Sequence, residues 1–262
     1  MKNILVLGDV VGRCGRDLIF EHLAGIISEY SIDFTVINGE NATTGNGINE
    51  KYAVMLLDAG ADVITLGNHS FDKNDIAHLM ETDKRIIRPL NLPPDLPGDG
   101  VTVIGKDGVF YAVVNMLGKT FMENDASSPF FTLEKAVANL KARYENPIII
   151  VDFHAEATSE KQALAYYCEG KVTAFYGTHT HVQTNDARIL KGKTGYITDI
   201  GMNGSRESVI GLEKEIGIAR FVSDEKRCFI WGSEEPMLNG AVFTVDEKTA
   251  ETKKIQLISK IY

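Results

Sequence analysis

The sequence predicts an α/β fold of mixed sheets flanked by helices, with an antiparallel second half. Three observations predict it. Short, near-continuous apolar runs alternate with stretches of helical periodicity, as in sheets buried on both faces. Glycine- and proline-rich segments punctuate that alternation. A polar residue able to bind a ligand also stands after each of five apolar runs.

Taken in order, strands are expected at residues 4–7, 34–37 and 63–66, with helices at 17–30, 51–59 and 75–80 between and after them. Residues 93–100, with their prolines and glycines, read as a surface loop. Residues 101–104 and 109–114 read as a hairpin, with Asp107-Gly108 at the turn. Helix 133–144, strand 148–151, helix 160–168 and strand 173–176 resume the alternation. Further strands are expected at 196–198, 241–245 and 254–258. There is no internal repeat and no low-complexity tract, so one domain over residues 1–262 is the economical reading.

Composition narrows the function class. The chain carries 27 basic and 36 acidic residues, a formal charge of −9. A chain so acidic has no net positive field with which to bind nucleic-acid backbone, so any phosphate it handles needs a local cation. Three cysteines, Cys14, Cys168 and Cys228, lack C-x-x-C spacing, which fits a reducing compartment better than a disulfide framework or structural zinc. The apolar run before Asp9 is too short for a signal sequence, and nothing approaches the roughly 20 apolar residues of a membrane helix. A cytoplasmic protein with no membrane partner is expected.

The polar residues after the strands carry the functional signal. Gly8 leads to Asp9, Gly39 to Glu40-Asn41, and Gly67 to Asn68-His69. Asp152-Phe153 leads to His154, and Gly177 to Thr178-His179-Thr180-His181. In open α/β sheets ligands bind outside the carboxyl ends of the strands. Singly, each piece has a plainer reading. Asp9 can cap a helix, Glu40-Asn41 and Asn68-His69 can be turns, and His154 alone is a weak signal. Gly8, Gly12 and Gly15 do not make the dinucleotide fingerprint, because Val10 stands where its middle glycine belongs. The force is joint, since all five signals share one topological position. Four of six histidines stand at strand ends, while His22 and His78 lie in helical stretches and read as ordinary helix residues. The donors are oxygen and nitrogen without thiolate, which suits manganese, iron or zinc. Seven ligands, Asp9, Glu40, Asn41, Asn68, His154, His179 and His181, are too many for one catalytic ion and about right for two sharing a carboxylate.

At these residues the chain resembles the calcineurin-type metallophosphoesterase superfamily. It departs from the general pattern twice: Asp9-Val10-Val11 replaces D-x-H, and Glu40-Asn41 replaces the usual bridging aspartate. Both departures resemble one branch, the YmdB-like cyclic-nucleotide phosphodiesterases. Asn38-Gly39-Glu40-Asn41-Ala42, Val151-Asp152-Phe153-His154-Ala155-Glu156 and Thr198-Asp199-Ile200-Gly201-Met202 carry that likeness. The resemblance implies a four-layer α/β/β/α sandwich of two mixed sheets flanked by helices, with two iron or manganese ions. Asp9, Glu40, Asn41 and His181 would hold one ion, and Glu40, Asn68, His154 and His179 the other. A water between the ions would attack phosphorus, and His69, next to Asn68, would act as general acid. Asp72 and Asp199 would orient metal-bound histidines. Arg13, Arg16 and Arg206 would reach the substrate phosphate, and residues 44–47 would form a mobile loop beside Glu40. The substrate implied is a cyclic nucleotide of the 2′,3′-cAMP or 3′,5′-cAMP type, and a homo-oligomer is expected. A nucleotidase-type phosphomonoesterase and a non-catalytic nucleotide-binding regulator are the competing readings.

Overall fold

The computed structural model of the chain describes residues 1–223 and 228–262. The first part runs β1 (Lys2–Leu7), β2 (Asp9–Val10), α1 (Gly12–Glu29), β3 (Phe34–Asn38), α2 (Glu50–Asp58), β4 (Val63–Thr65), α3 (Ile76–Thr82) and β5 (Ile86–Ile87). Next come β6 (Val101–Lys106), β7 (Val109–Leu117), α4 (Pro129–Arg143), β8 (Ile148–His154), α5 (Thr158–Cys168) and β9 (Ala174–Thr178). The last part holds β10 (Arg188–Leu190), β11 (Thr194–Ile197), β12 (Met202–Ser205), α6 (Lys214–Val222), β13 (Pro236–Asp246) and β14 (Glu251–Ile261).

Both sheets are mixed. The first has the order β2-β12-β13-β1-β3-β4-β5, with β14 on β13. Within it β1, β3, β4 and β5 are parallel, joined by α1, α2 and α3, while β13 runs antiparallel to β1. The second has the order β10-β11-β9-β8-β7-β6, with β7, β8, β9 and β11 parallel. Alternation along the strands divides the apolar side chains into three buried clusters. Ile4, Val6, Phe34 and Val36 of the first sheet pack with Tyr111, Val113, Ile148 and Tyr176 of the second. Leu5, Leu7, Ile37 and Ile64, on the opposite face of the first sheet, pack with Ile19, Leu23, Leu56 and Met80 of α1, α2 and α3. Val114, Ile149 and Phe175 of the second sheet pack with Leu133, Leu140 and Leu164 of α4 and α5.

Most expected elements are present, with informative differences. Helix α1 begins at Gly12, five residues before the expected start. Gly12 has φ +59°, and Gly15 lies so close to the Asn203 carbonyl that a Cβ would not fit. These glycines let the first turn lie on β12, which hydrophobic periodicity does not reveal. The expected hairpin forms with Lys106 opposite Val109, and Asp107 and Gly108 both take positive φ. Helix α6 and the short strands β2, β5, β10 and β12 are additions that periodicity missed, because two to four residues carry no period. Within α6 a glycine interrupts the apolar series. No helix among the described residues is long and apolar enough to cross a membrane. All three cysteines are free.

One buried carboxylate joins the two sheets at their carboxyl ends. Asp152 on β8 is fully buried and accepts from Asn38 Nδ2 on β3 at 3.0 Å, from Thr65 Oγ1 on β4, and from Thr178 Oγ1 on β9 at 2.7 Å. Burial pushes its carboxyl up to about 6 despite these bonds. Asp152→Ala strands three buried donors, each costing about 1–3 kcal/mol when left unsatisfied. Denaturant unfolding should therefore show a loss of at least about 3 kcal/mol; a loss below about 1 kcal/mol would mean that water replaces the carboxylate there.

Candidate active site

The seven residues assigned to metal and His69 all stand at the carboxyl ends of strands. Asp9 follows β1, Glu40 and Asn41 follow β3, and Asn68 and His69 follow β4. His154 ends β8, and His179 and His181 follow β9. The first sheet thus supplies the carboxylates, the amides and His69, and the second the remaining imidazoles. A cleft of about 360 Å³ is lined in part by Glu40, Asn41, His69, His179 and His181, while Asp9 and His154 are fully buried.

The turns that deliver them are conformationally demanding. Gly8 has no room for a Cβ against the Gly201 carbonyl, nor Gly177 against that of Thr198. At Gly67 a Cβ would collide with Glu40 Oε2 and the His154 ring. His179 and His181 take φ of 94° and 65°, values that L-residues rarely adopt and that tend to occur at functional sites.

The donors converge. His154 Nε2 lies 3.1 Å from Glu40 Oε1, 3.1 Å from Asn68 Oδ1 and 3.0 Å from His179 Nδ1. His181 Nε2 lies 3.6 Å from Asp9 Oδ1 and 3.1 Å from the Asn41 amide, which in turn is 3.3 Å from Asp9. The backbone N–H of His179 donates to Asp9 Oδ2 at 3.1 Å, and that of His69 donates to Glu40 Oε1 at 3.1 Å.

The outer nitrogens fix the tautomers. His181 Nδ1 lies 2.8 Å from the Ile210 carbonyl, which only accepts, so it carries the proton. Thr178 spends its hydroxyl proton on Asp152 and accepts from His154 Nδ1 at 3.0 Å. His179 Nε2 donates to Glu156 Oε2 at 3.2 Å. In the neutral rings, each inner nitrogen therefore presents a lone pair to a buried cluster that already holds Asp9 and Glu40. Glu40 Oε2 is itself buried with no hydrogen-bond partner.

Lone pairs facing carboxylates in a buried space require a positive charge among them. Without a metal, protons take that part. Burial pulls the His154 imidazole down, but Glu40 and Asp9 more than offset it and push it up to about 9. Burial and the neighbouring His154 drive His179 down to about 3. Asp9, which burial alone would raise, is held below the usual carboxylate range by His181 and His154. Among the described residues no three His, Cys, Asp or Glu side chains are grouped as a ready-made metal site. The donors touch one another instead of standing around a common point, and two of them are asparagine amides. The chemistry of the set fits divalent cations: imidazole, carboxylate and amide oxygen, with an orphaned carboxylate oxygen at the centre.

His69 faces the cleft beside these donors, with Nδ1 2.8 Å from Asp72 Oδ2. Asp72 thus orients an imidazole, but that of His69 and not, as expected, one of the histidines assigned to a metal. Asp199 touches no histidine ring. It pairs with the fully buried Lys161 at 2.7 Å and accepts from Thr180 Oγ1 at 2.7 Å, holding the backbone between the two histidines. The three arginines expected at the phosphate lie elsewhere. Arg13 pairs with Asp17, Arg206 with Glu235, and Arg16 donates to the Ala42 carbonyl beneath the Tyr52 ring. Among the described residues, the arginine that lines the cleft is Arg220, and Glu156, Thr178 and the Ile210 carbonyl are the histidine partners that were not expected from the sequence. Glu156 stands two residues after His154, a spacing that could have pointed to it. Residues 44–47 lie beside Glu40 as expected, in a turn closed by Thr43 N–H on the Gly47 carbonyl at 2.8 Å.

Comparison with known proteins agrees with this geometry. The family described as YmdB-like protein matches residues 5–258. A curated relative, the 2′,3′-cyclic-nucleotide 2′-phosphodiesterase of Bacillus subtilis (strain 168), is 42% identical over 256 residues, covering 98% of this chain and 96% of that protein. The crystal structure of a novel phosphatase from Mycoplasma pneumoniae superposes with TM-score 0.92 at 36% identity, covering 99% of this chain and 93% of that one. A 5′-nucleotidase precursor from Thermus thermophilus shares the fold alone, with TM-score 0.57 and 13% identity over 99% of this chain and 54% of that chain. The chain belongs to the YmdB-like protein family.

Proposed function

We propose that this chain is a metal-dependent phosphodiesterase that hydrolyses cyclic nucleotides, 2′,3′-cyclic nucleotides first and 3′,5′-cAMP as a further substrate. One observation carries the reading: three histidines held from outside turn their inner nitrogens into one buried cluster that holds two carboxylates, one of which has an oxygen without a partner. A relative named for a 2′,3′-cyclic-nucleotide activity, similar over nearly the whole of both chains, supports the substrate class. Three apolar clusters, between the sheets and on the outer face of each, support a single domain layered α/β/β/α over residues 1–262.

In this reading Asp9, Glu40, Asn41 and His181 hold one ion, and Glu40, Asn68, His154 and His179 the other, with manganese or iron suiting the donors. Such a pair of ions activates water and neutralises the phosphate oxygens. The chain supplies the rest. Glu40 lies between the two ligand groups, and Gly67 keeps its carboxylate from being crowded. Asp72 holds His69 Nδ1–H and fixes the ring, so that the protonated imidazole can release its Nε2 proton to the leaving oxygen. Water adds to phosphorus as the P–O2′ bond breaks, O2′ takes the His69 proton, the proton that the water gives up passes to solvent, and the product is a 3′-phosphate. Asp72 positions His69 and does not touch the reacting atoms.

Chelation followed by desalting should abolish hydrolysis of 2′,3′-cAMP, and manganese or iron added back should restore it. Undiminished turnover in chelated protein would refute metal dependence. His69→Ala should lower kcat by about 10²–10⁴-fold while keeping its metal. His179→Ala should lose metal as well as rate. Elemental analysis of both variants decides the division of roles, and equal metal loss would overturn it.

A further inference from the structure

The cleft has a second wall whose chemistry differs from that of the metal-facing side. Ile210, Leu212, Phe229 and Trp231 line it, with Arg220 among them. Ile210 and Phe229 are about half exposed, at 50% and 52%, yet they share one cleft with His69, His179 and His181. Phosphate chemistry needs none of these apolar groups.

The wall is built, not incidental. Trp231, the chain's sole tryptophan, lies so close over Gly45 that a Cβ there would not fit, and it packs against Gly12 and Gly211 as well. Its backbone is pinned on both sides: Gly232 N–H donates to the Gly211 carbonyl at 2.9 Å, and Glu213 N–H to the Ile230 carbonyl at 2.9 Å. The Arg220 guanidinium lies 5.0 Å from the centroid of the Phe229 ring. The wall is also tied to the catalytic half, because Ile210 accepts the His181 Nδ1 proton through its carbonyl. A group seated on this wall is therefore held in register with the phosphate.

We propose that the wall formed by Trp231, Phe229, Ile210 and Leu212 is a nucleobase subsite, with Arg220 facing the acceptor edge of the base. It rests on the phosphodiesterase reading and adds to it the residues that read the substrate's base. A planar heterocycle with an apolar face and acceptor atoms at its rim matches an aromatic wall with Arg220 beside it. A sugar phosphate without a base leaves the wall wet.

The sole tryptophan makes the test direct. Metal-loaded protein is titrated with adenosine 3′-monophosphate and with methyl riboside 3′-phosphate, which lacks the base, while Trp231 fluorescence is followed. Saturable quenching by the nucleotide alone is expected, and equal responses to both would overturn the subsite. Steady-state rates then compare 2′,3′-cAMP with the base-free 2′,3′-cyclic phosphate. Trp231→Leu and the surface variant Phe229→Ala should lower the ratio of the two kcat/KM values about 10-fold or more, with Trp231→Phe keeping most of it. An unchanged ratio in both of the first two variants would refute the proposal. Base-dependent quenching without turnover of either cyclic phosphate would leave the subsite standing and defeat the hydrolytic reading instead.

Discussion

The structure depends on a buried carboxylate that no solvent reaches. Asp152 gathers donors from β3, β4 and β9 onto β8, and so fixes where the ends of the two sheets lie relative to each other. Strands from different sheets have no shared hydrogen-bond ladder, and apolar packing between the sheets tolerates small slips. A charged acceptor with three partners does not. The same Thr178 that donates to Asp152 accepts the Nδ1 proton of His154, so this carboxylate also selects the tautomer of a neighbouring imidazole within its own sheet.

Charge then sets what the cleft can do. Asp9, Asn41 and His181 contact one another, Glu40, Asn68 and His179 meet at His154, and Glu40 Oε2 is left without a hydrogen-bond partner. The glycines at the turns and the left-handed backbone at His179 and His181 bring them that close. Such conformations cost free energy, on the order of 1–3 kcal/mol each. Outside this cluster the chemistry changes abruptly, to His69 on its aspartate at one edge and to an aromatic wall at the other.

Much of this was legible in the sequence because one rule placed it: polar residues following buried strands gather at one edge. Asp9, Glu40, Asn41, Asn68, His69, His154, His179 and His181 were all found this way. What escaped came from contacts between residues far apart in the chain. Arg13 and Arg16 lie near glycines but on α1, where Asp17 and the Ala42 carbonyl engage them. Arg220 lies on α6, whose short apolar pattern is broken by Gly217, and Trp231 comes after that helix. Nothing local ties either of them to histidines some 40 residues earlier. Asp199 follows a strand as Asp9 and Glu40 do, yet Lys161, buried on α5, claims it. A lysine buried inside a helix is not readable from helical periodicity.

The central claim is that two cations share Glu40 between the ends of the two sheets. Anomalous scattering from crystals of the manganese-loaded protein tests it most directly. Two peaks are predicted, one among Asp9, Asn41 and His181 and the other among Asn68, His154 and His179, with the Glu40 carboxylate touching both. A single peak, or manganese bound only away from Glu40, would contradict the account.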